Sequence, residues 1–380
     1  MPHMAQTFDI CIRGSGIVGK ALALLLARER LKVALLPAAG PKLPSSADVR
    51  AYALNTASRR LLEALRSWPD AEHATAVQAM QVHGDQDGAV RFDAAAQGVD
   101  ALAWIVDVPA LEARLAEAVR YQPQVEMVEA PVPAALTVVC EGRASSTRDE
   151  FGVVFDVTPY GQHAIATRVQ CEHAHGQVAR QWFSPDGILA FLPLGGPLGN
   201  SVAVVWSVSQ DQVASLMALP TEEFAQRLQA ASKETLGSLT LIAERAAWPL
   251  QLAQADRWCG ALPPQGKGAR SWVLAGDAAH NVHPLAGQGL NLGLADAEAL
   301  AAVLHARDYW RSVADVRLLR RYERERKAAL LPMGLATDGL QQLFARQNAP
   351  LQALRNWGMK GFDLSGPLKS FVARQAMGNY

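Results

Sequence analysis

Three glycines near the start of the chain lie between a predicted strand and a predicted helix. Phe8–Arg13 has the apolar content of a short strand, and Gly14, Gly16 and Gly19 follow it. Glycine at these positions permits a sharp turn, a close approach of backbone to a phosphate, and close packing of helix on strand. With a second strand at Lys32–Leu36, the pattern predicts a β-α-β unit that binds a dinucleotide at the helix N-terminus, with a tight structural turn as the alternative.

The size and composition of the chain predict two closely packed lobes. Its 380 residues exceed the size at which a single hydrophobic core stops growing. The 36 basic and 36 acidic residues balance, which argues against a nucleic-acid partner. No apolar stretch is long enough for a membrane span, so we expect no transmembrane segment and a cytoplasmic location. The cysteines lack metal-ligand spacing and predict buried side chains, with no metal site, at Cys11, Cys140, Cys171 and Cys259.

Strand and helix patterns alternate along the rest of the chain. Residues 162–208 contain short β-branched and aromatic runs separated by glycine-rich turns, which predict a sheet. Helical spacing of apolar residues is found at Ser58–Leu65, Pro109–Val119, Thr221–Leu236, Asn291–His305 and Leu318–Leu331. The sequence therefore predicts an α/β protein.

A second glycine-rich segment, from Gly276 to Gly293, is more specific than the first. An apolar strand precedes Asp277, whose carboxylate can accept hydrogen bonds from sugar-like hydroxyls. The loop with Pro284 and Gly287 can place bare backbone against a flat ring, and the helix that follows can stabilise negative charge on that ring. A plain glycine-rich connection between strand and helix is the alternative.

This segment resembles the second FAD motif of flavin aromatic hydroxylases related to para-hydroxybenzoate hydroxylase. Asp48–Leu54 resembles the arginine-bearing segment that reaches the flavin in the hydroxylases of ubiquinone biosynthesis. Ala190–Leu194 resembles their strand that faces the flavin, and Tyr322–Arg326 resembles the helix after the second motif. The similarity continues through the C-terminal region, so we identify the chain as a member of this family.

The resemblance implies an activity and a set of site residues. NAD(P)H would reduce bound FAD, O₂ would form a flavin C4a-hydroperoxide, and one oxygen atom would pass to a polyprenylated phenol of the ubiquinone pathway. Cofactor contacts are expected from Gly14, Gly16, Gly19, Arg50, Gly276, Asp277, Pro284, Gly287, Gln288, Gly289 and Asn291. Catalytic roles are expected for Arg50, Phe191, Pro284 and His280, with a structural hydrogen bond as the alternative for His280.

The resemblance also implies a domain organisation with discontinuous parts. A Rossmann-like FAD-binding domain would comprise residues 1–76, 106–158 and 269–330. A β-sheet substrate domain would comprise residues 77–105 and 159–268, and residues 331–380 would form a C-terminal helical region. Attachment to the surface of the inner membrane is an alternative to a purely cytoplasmic location.

Three departures from the family pattern motivate two rival functions. Pro37 stands where an acidic residue should bind the adenosine ribose, and Arg13 stands where an apolar residue should end the first strand. Glu141–Arg148 occupies the place of the third motif, which relatives use for FAD and pyridine nucleotide. The rivals are a scaffold that binds other quinone-biosynthesis proteins, and an FAD-dependent dehydrogenase or reductase.

Overall fold

The computed structural model describes residues 8–38, 48–84, 88–184, 187–265, 268–281 and 289–345, with side chains as far as residue 330. The strands are β1 (Phe8–Arg13), β2 (Val33–Leu36), β3 (Ala51–Leu54), β4 (Ala74–Val77), β5 (Ala79–His83), β6 (Ala89–Asp93), β7 (Ala103–Asp107), β8 (Val125–Met127), β9 (Ala134–Val139), β10 (Phe155–Cys171), β11 (Val178–Ser184), β12 (Gly187–Pro193), β13 (Ser201–Ser209), β14 (Leu239–Leu241), β15 (Ala246–Ala255), β16 (Cys259–Gln265), β17 (Gly268–Leu274) and β18 (His280–Asn281). The helices are α1 (Ile17–Arg28), α2 (Thr56–Ala64), α3 (Ala94–Gln97), α4 (Val108–Arg120), α5 (Thr147–Glu150), α6 (Gln210–Ala218), α7 (Thr221–Ala231), α8 (Gly289–His305) and α9 (Val316–Ala345).

A six-stranded sheet contains the predicted β-α-β unit. Its strand order is β16-β17-β9-β1-β2-β8, and only the edge strand β16 runs antiparallel to its neighbour. Helix α1 packs against α4 and α8 and buries its leucines against the sheet. In α4, Leu111, Leu115 and Val119 are buried at four-residue spacing, so a single face of this helix meets the core. The expected Rossmann-like α/β fold is confirmed.

A nine-stranded, mostly antiparallel sheet forms the second lobe. The main path is β18-β15-β10-β13-β12-β11-β5-β6, and β14 pairs with β10. A smaller three-stranded sheet, β3-β7-β4, completes the described strands. Strand β16 lies in the range predicted for the substrate domain but belongs to the six-stranded sheet, because it forms an antiparallel hairpin with β17. The domain boundaries remain predictions.

The two faces of the nine-stranded sheet carry side chains of different size. One face lines a cavity of about 1550 Å³ and presents mainly small side chains, from Ala164, Ala166, Ala179, Ala190 and Ala203. The other face packs on α6 and α7 and presents large buried side chains, from Ile165, Trp182, Phe191, Val204 and Trp206. Because side chains alternate across a strand, the same strands build an open surface and a dense core.

Candidate functional site

The cavity borders all three sheets and brings both glycine-rich segments to one surface. Gly16 and Ala38 line it from the dinucleotide-binding unit, and Asp277 and Gly289 line it from the second segment. The alanine-rich face of the nine-stranded sheet forms its apolar part. A single cavity can therefore hold a dinucleotide and a second, apolar molecule beside it.

The first glycine turn has the geometry that a pyrophosphate requires. Gly14 has φ of +109°, and a Cβ there would lie 2.2 Å from the carbonyl oxygen of Cys140. A Cβ on Gly19 would lie 1.9 Å from the carbonyl oxygen of Gly14, so only glycine lets α1 pack on this turn. Gly16 precedes α1 and faces open cavity space. The N-terminus of α1 can therefore receive a phosphate without obstruction.

The second segment places a carboxylate without hydrogen-bond donors at the cavity wall. Asp277 is half-buried, and no residue in the described part of the chain donates a hydrogen bond to its side chain. Burial raises the pKa of Asp277, and the charges of His280 and Arg143 oppose that rise. A buried acceptor without donors is a binding site for hydroxyl groups, which fits the ribityl chain of a flavin.

Arg50 lies beside Asp277 in the same cavity, immediately before β3. Its Nε and one terminal nitrogen bind the two carboxylate oxygens of Asp48, at 2.8 and 2.6 Å. Arg168, from the nine-stranded sheet, donates hydrogen bonds to the carbonyl oxygens of Val49 and Arg50 at 3.3 and 3.4 Å. The nine-stranded sheet thus fixes the segment around Arg50, which we expected to reach the flavin.

His280 does not line the cavity, so its position does not support proton transfer. Its Nε2 lies 2.7 Å from Oδ2 of Asp296, and its ring stacks on Trp258 with centroids 5.0 Å apart. Asp296 also accepts hydrogen bonds from the amide of Gly276 at 2.8 Å and from Nε of Arg326 at 2.6 Å. The structure thus gives His280 the structural hydrogen bond that was the alternative in the sequence.

Asn291 joins elements of the fold instead of facing the cavity. Its Oδ1 accepts hydrogen bonds from the amide of Asn55 at 3.0 Å and from the hydroxyl of Ser58 at 2.8 Å. Its Nδ2 donates to the carbonyl oxygen of Ala53 at 2.8 Å. These hydrogen bonds make the Asn291 side chain a tie between α8 and the segment that contains β3 and α2, and the cofactor contact of Asn291 stays a prediction.

Phe191 lies on the opposite face of its strand from the cavity. It is 0% exposed and packs edge-on against Trp182, with ring centroids 5.0 Å apart. Its neighbours Ala190 and Leu192 line the cavity instead. The expectation that Phe191 faces the flavin is wrong by one residue, because alternate side chains of a strand point to opposite faces. Three other expected site residues fall outside the described residues, namely Pro284, Gly287 and Gln288.

Two of the three departures from the family pattern, Arg13 and Glu141, are explained by the hydrogen bonds that they form. Arg13 donates to the hydroxyl of Thr147 at 3.0 Å and pairs with Glu150 at 2.6 Å. Glu141 accepts from the hydroxyls of Ser145 and Thr147, at 2.6 and 2.8 Å. These two unusual residues therefore hold one another's segments together. Pro37 directly follows β2 and offers no acceptor to a ribose, as the sequence predicted.

Sequence reasoning missed three charged residues of the site. Glu126 lines the cavity from β8, the strand beside β2, and Arg143 lines it near Asp277. Arg148 is buried and donates hydrogen bonds to the carbonyl oxygens of Ala278, at 3.1 Å, and of Arg143. The arginines were visible in the altered third motif, but their contacts join residues far apart in the sequence.

Comparison with known proteins identifies the family. Residues 112–331 match the family described as FAD binding domain. The 3-demethoxyubiquinol 3-hydroxylase of Escherichia coli is 31% identical over 412 positions, covering 98% of this chain and 99% of that protein. Ubiquinone hydroxylase UbiL of Rhodospirillum rubrum is 31% identical and covers 97% of this chain and 89% of that protein. The structure of p-nitrophenol 4-monooxygenase PnpA from Pseudomonas putida has a TM-score of 0.76 over 98% of both chains at 19% identity, which shows a shared fold.

The chain is therefore a flavoprotein of the FAD-binding family, with FAD as its cofactor. Within that family it belongs with the hydroxylases of ubiquinone biosynthesis. No helix in the described part of the chain is long and apolar enough to cross a membrane. Within the same part, no group of three or more His, Cys, Asp or Glu residues could hold a metal ion.

Proposed function

We propose that this protein is an FAD-dependent monooxygenase that hydroxylates the aromatic ring of a polyprenylated phenol in ubiquinone biosynthesis, with NAD(P)H as electron donor. The names of the relatives support the reaction class. The observation that carries the proposal for this chain is the position of Asp277, a half-buried acceptor on the wall of a cavity whose far side is apolar. Ring chemistry beside a hydrophobic substrate requires this combination.

The size and lining of the cavity favour a bulky apolar substrate. Its volume of about 1550 Å³ exceeds the roughly 300–1000 Å³ of a typical single small-molecule site, which leaves room for a second molecule beside FAD. The alanine-rich sheet face leaves depth where larger side chains would fill the space, and Ile188, Leu192 and Trp248 add apolar walls. A phenol with a hydrocarbon tail matches this surface better than a small polar substrate does.

Each part of the chain has a defined role in the proposed reaction. When bound, FAD supplies the activation of O₂ and the transfer of one oxygen atom. The N-terminus of α1 at Gly16 would bind the pyrophosphate, and Asp277 would accept hydrogen bonds from the ribityl hydroxyls. Arg50, fixed by Asp48, would border the ring. The alanine-rich face would orient the phenol and exclude water.

Two measurements test the proposal. FAD-loaded protein should oxidise NAD(P)H faster when a hydrophobic phenol is added, and the product should contain oxygen from ¹⁸O₂. Ala190→Phe should abolish the acceleration but retain FAD, because Ala190 lines the cavity on the alanine-rich face. Ala95→Phe, at an exposed alanine outside the cavity lining, is the matched control.

The same experiment separates the rival functions. NAD(P)H oxidation without oxygen in the phenol would favour a reductase or dehydrogenase. Failure of FAD-saturated protein both to oxidise NAD(P)H and to complement loss of a ubiquinone hydroxylase would favour a scaffold of a quinone-biosynthesis complex. Binding of such partner proteins, and attachment to a membrane surface, would then be the properties to measure.

A further inference from the structure

We propose that Arg143 is the cation that stabilises negative charge on the flavin ring in this protein, and that Arg50 is not. This inference rests on FAD binding but not on hydroxylation. Two-electron reduction of a flavin with uptake of one proton leaves a ring that carries one negative charge. A nearby cation favours that state, so the protein sets the reactivity of the ring through the placement of charge.

The positive charge of Arg50 is already neutralised by its own segment. Its guanidinium binds Asp48 through two hydrogen bonds, and its backbone amide donates to the same carboxylate at 3.1 Å. The Asp48 side chain is 10% exposed and the Arg50 side chain is 40% exposed, so the carboxylate of the pair is largely buried and water screens the arginine in part. An arginine in a two-point pair with a carboxylate adds little net charge to a ring beside it.

Arg143 lines the same cavity and has no such partner. Among the described residues its guanidinium donates a single hydrogen bond, a long one of 3.5 Å to the carbonyl oxygen of Pro249, and it forms no ion pair with a carboxylate of those residues. Glu141, two residues earlier, is occupied by Ser145 and Thr147. The charge of Arg143 therefore remains available to a ligand.

The backbone holds Arg143 next to Asp277. The buried guanidinium of Arg148 donates to the carbonyl oxygens of both Arg143 and Ala278, and so joins the third motif to the second. Arg148 also lies over the ring of Phe155, with 3.6 Å between guanidinium carbon and ring centroid. This connection places Arg143 at the residue that would bind the ribityl chain.

The direction in which the Arg143 side chain extends indicates that it would lie near the ring end of the bound cofactor. Its guanidinium contacts Pro249, which belongs to the nine-stranded sheet beside the cavity-lining Trp248. Its charge also opposes the rise that burial causes in the pKa of Tyr52, on the Arg50-bearing segment. Arg143 thus lies between Asp277 and the nine-stranded sheet.

Sulfite provides a probe that needs no turnover. Its sulfur lone pair adds to ring atom N5, an N–S bond forms, nothing leaves, and the ring gains one negative charge. The dissociation constant of the adduct, measured on FAD-loaded full-length protein by loss of flavin absorbance, therefore reports the nearby cation. We expect Arg143→Gln to weaken sulfite binding roughly tenfold and to lower the midpoint potential by about 30 mV, the equivalent for a two-electron couple. Arg143→Lys should restore most of both values.

Variants of the Arg50 pair are the matched controls. The Asp48→Asn/Arg50→Gln double variant should change sulfite affinity much less than Arg143→Gln, because it removes a pair whose net charge is zero. Asp48→Asn should strengthen sulfite binding, because it frees the Arg50 charge. Hydroxylation enters none of these measurements, so failure of the proposed reaction would leave this test intact.

Three outcomes would overturn the inference. Unchanged sulfite affinity in FAD-saturated Arg143→Gln would show that its charge does not reach the ring. A larger loss in the Asp48→Asn/Arg50→Gln double variant than in Arg143→Gln would assign the role to Arg50. Loss of FAD binding in Arg143→Gln, with normal binding of riboflavin, would show that Arg143 serves the cofactor phosphates instead.

Discussion

Two carboxylates on opposite sides of segment 276–281 have opposite surroundings. On the cavity side, Asp277 receives no hydrogen bond from the described residues. On the helix side, Asp296 is 0% exposed and accepts hydrogen bonds from Gly276, His280 and Arg326. One carboxylate is available to a ligand and the other is consumed by the fold. An acidic residue in a motif therefore indicates a binding site only when no protein group donates a hydrogen bond to its carboxylate.

The electrostatics of the two sides differ in the same sense. Burial raises the pKa of Asp277 above its ordinary value. Burial alone would also raise the pKa of Asp296, but the charges and hydrogen bonds of His280 and Arg326 outweigh it and lower that pKa. Arg326 lies on helix α9. The hydroxyl of Tyr322, on the same helix, donates a hydrogen bond to the carbonyl oxygen of Leu274 at 3.1 Å. On the helix side, the carboxylate of Asp296 is thus fully used by hydrogen bonds within the protein. On the cavity side, the carboxylate of Asp277 can accept hydrogen bonds from hydroxyl groups of a ligand.

The largest expected effect is on stability, from Asp296→Ala. Removal of this carboxylate leaves the guanidinium of Arg326 and the ring of His280 without their buried partner, which typically costs about 3–5 kcal/mol. Urea unfolding of the FAD-free protein measures the change. Asp308→Ala, which breaks an exposed pair with Arg311, is the control and should cost less than about 1 kcal/mol. Equal costs in the two variants would show that the buried network contributes nothing special.

Asp277→Ala should have the reverse profile. We expect FAD affinity to fall by about 1–3 kcal/mol, because the ribityl hydroxyls lose a buried acceptor. The FAD-free protein should unfold at the same or a higher urea concentration, because no internal hydrogen bond is lost and a desolvated charge is removed. Fluorescence titration with FAD gives the affinity, with Asp308→Ala again as control. Unchanged FAD affinity would remove Asp277 from the site.

Pro37→Glu should raise FAD affinity, because it adds a third carboxylate, at the adenosine end of the cofactor. A charge-assisted hydrogen bond to the adenosine ribose contributes about 1.5–3 kcal/mol, and the half-buried position favours the low end, roughly a tenfold gain in FAD affinity. FMN, which lacks that ribose, is the control ligand and should bind as before. An absent gain would point to an acceptor already present, with Glu126→Gln as the variant to examine next.

The smallest expected effect is on the pH dependence of stability, because the two carboxylates act in opposite directions. The lowered pKa of Asp296 gives stability that is present above its unfolded value, about 3.9, and lost as pH falls through the folded value. The raised pKa of Asp277 gives stability that is present below that unfolded value and lost as pH rises through the folded value. In urea unfolding from pH 7 to pH 3, Asp296→Asn should flatten the acid loss and Asp277→Asn should steepen it. Equal slopes in both variants would contradict the assignment.

Local patterns were sufficient to predict the fold and to select segments that border the cavity. The turn at Gly14, the carboxylate of Asp277 and the placement of Arg50 depend on short segments whose geometry follows from their own residues. The prediction for Phe191 was wrong because Ala190–Leu194 is apolar at every position, so its alternation carries no sign of which face meets the cavity. Arg143 was missed because its proposed role depends on its position relative to Ala278 and Asp48, which lie far from it in the sequence.

The alanine-rich face of the nine-stranded sheet has a consequence for how this protein can change over time. The large residues that pack against α6 and α7 lie on its far side, so a methyl group added at Ala166 or Ala190 alters the shape of the cavity while those residues are unchanged. Alternate positions of the same strands therefore set the shape of the cavity and the packing of the core. For the proposed substrate, we expect single substitutions on this face to change which tail lengths fit, without compensating mutations in the core behind it.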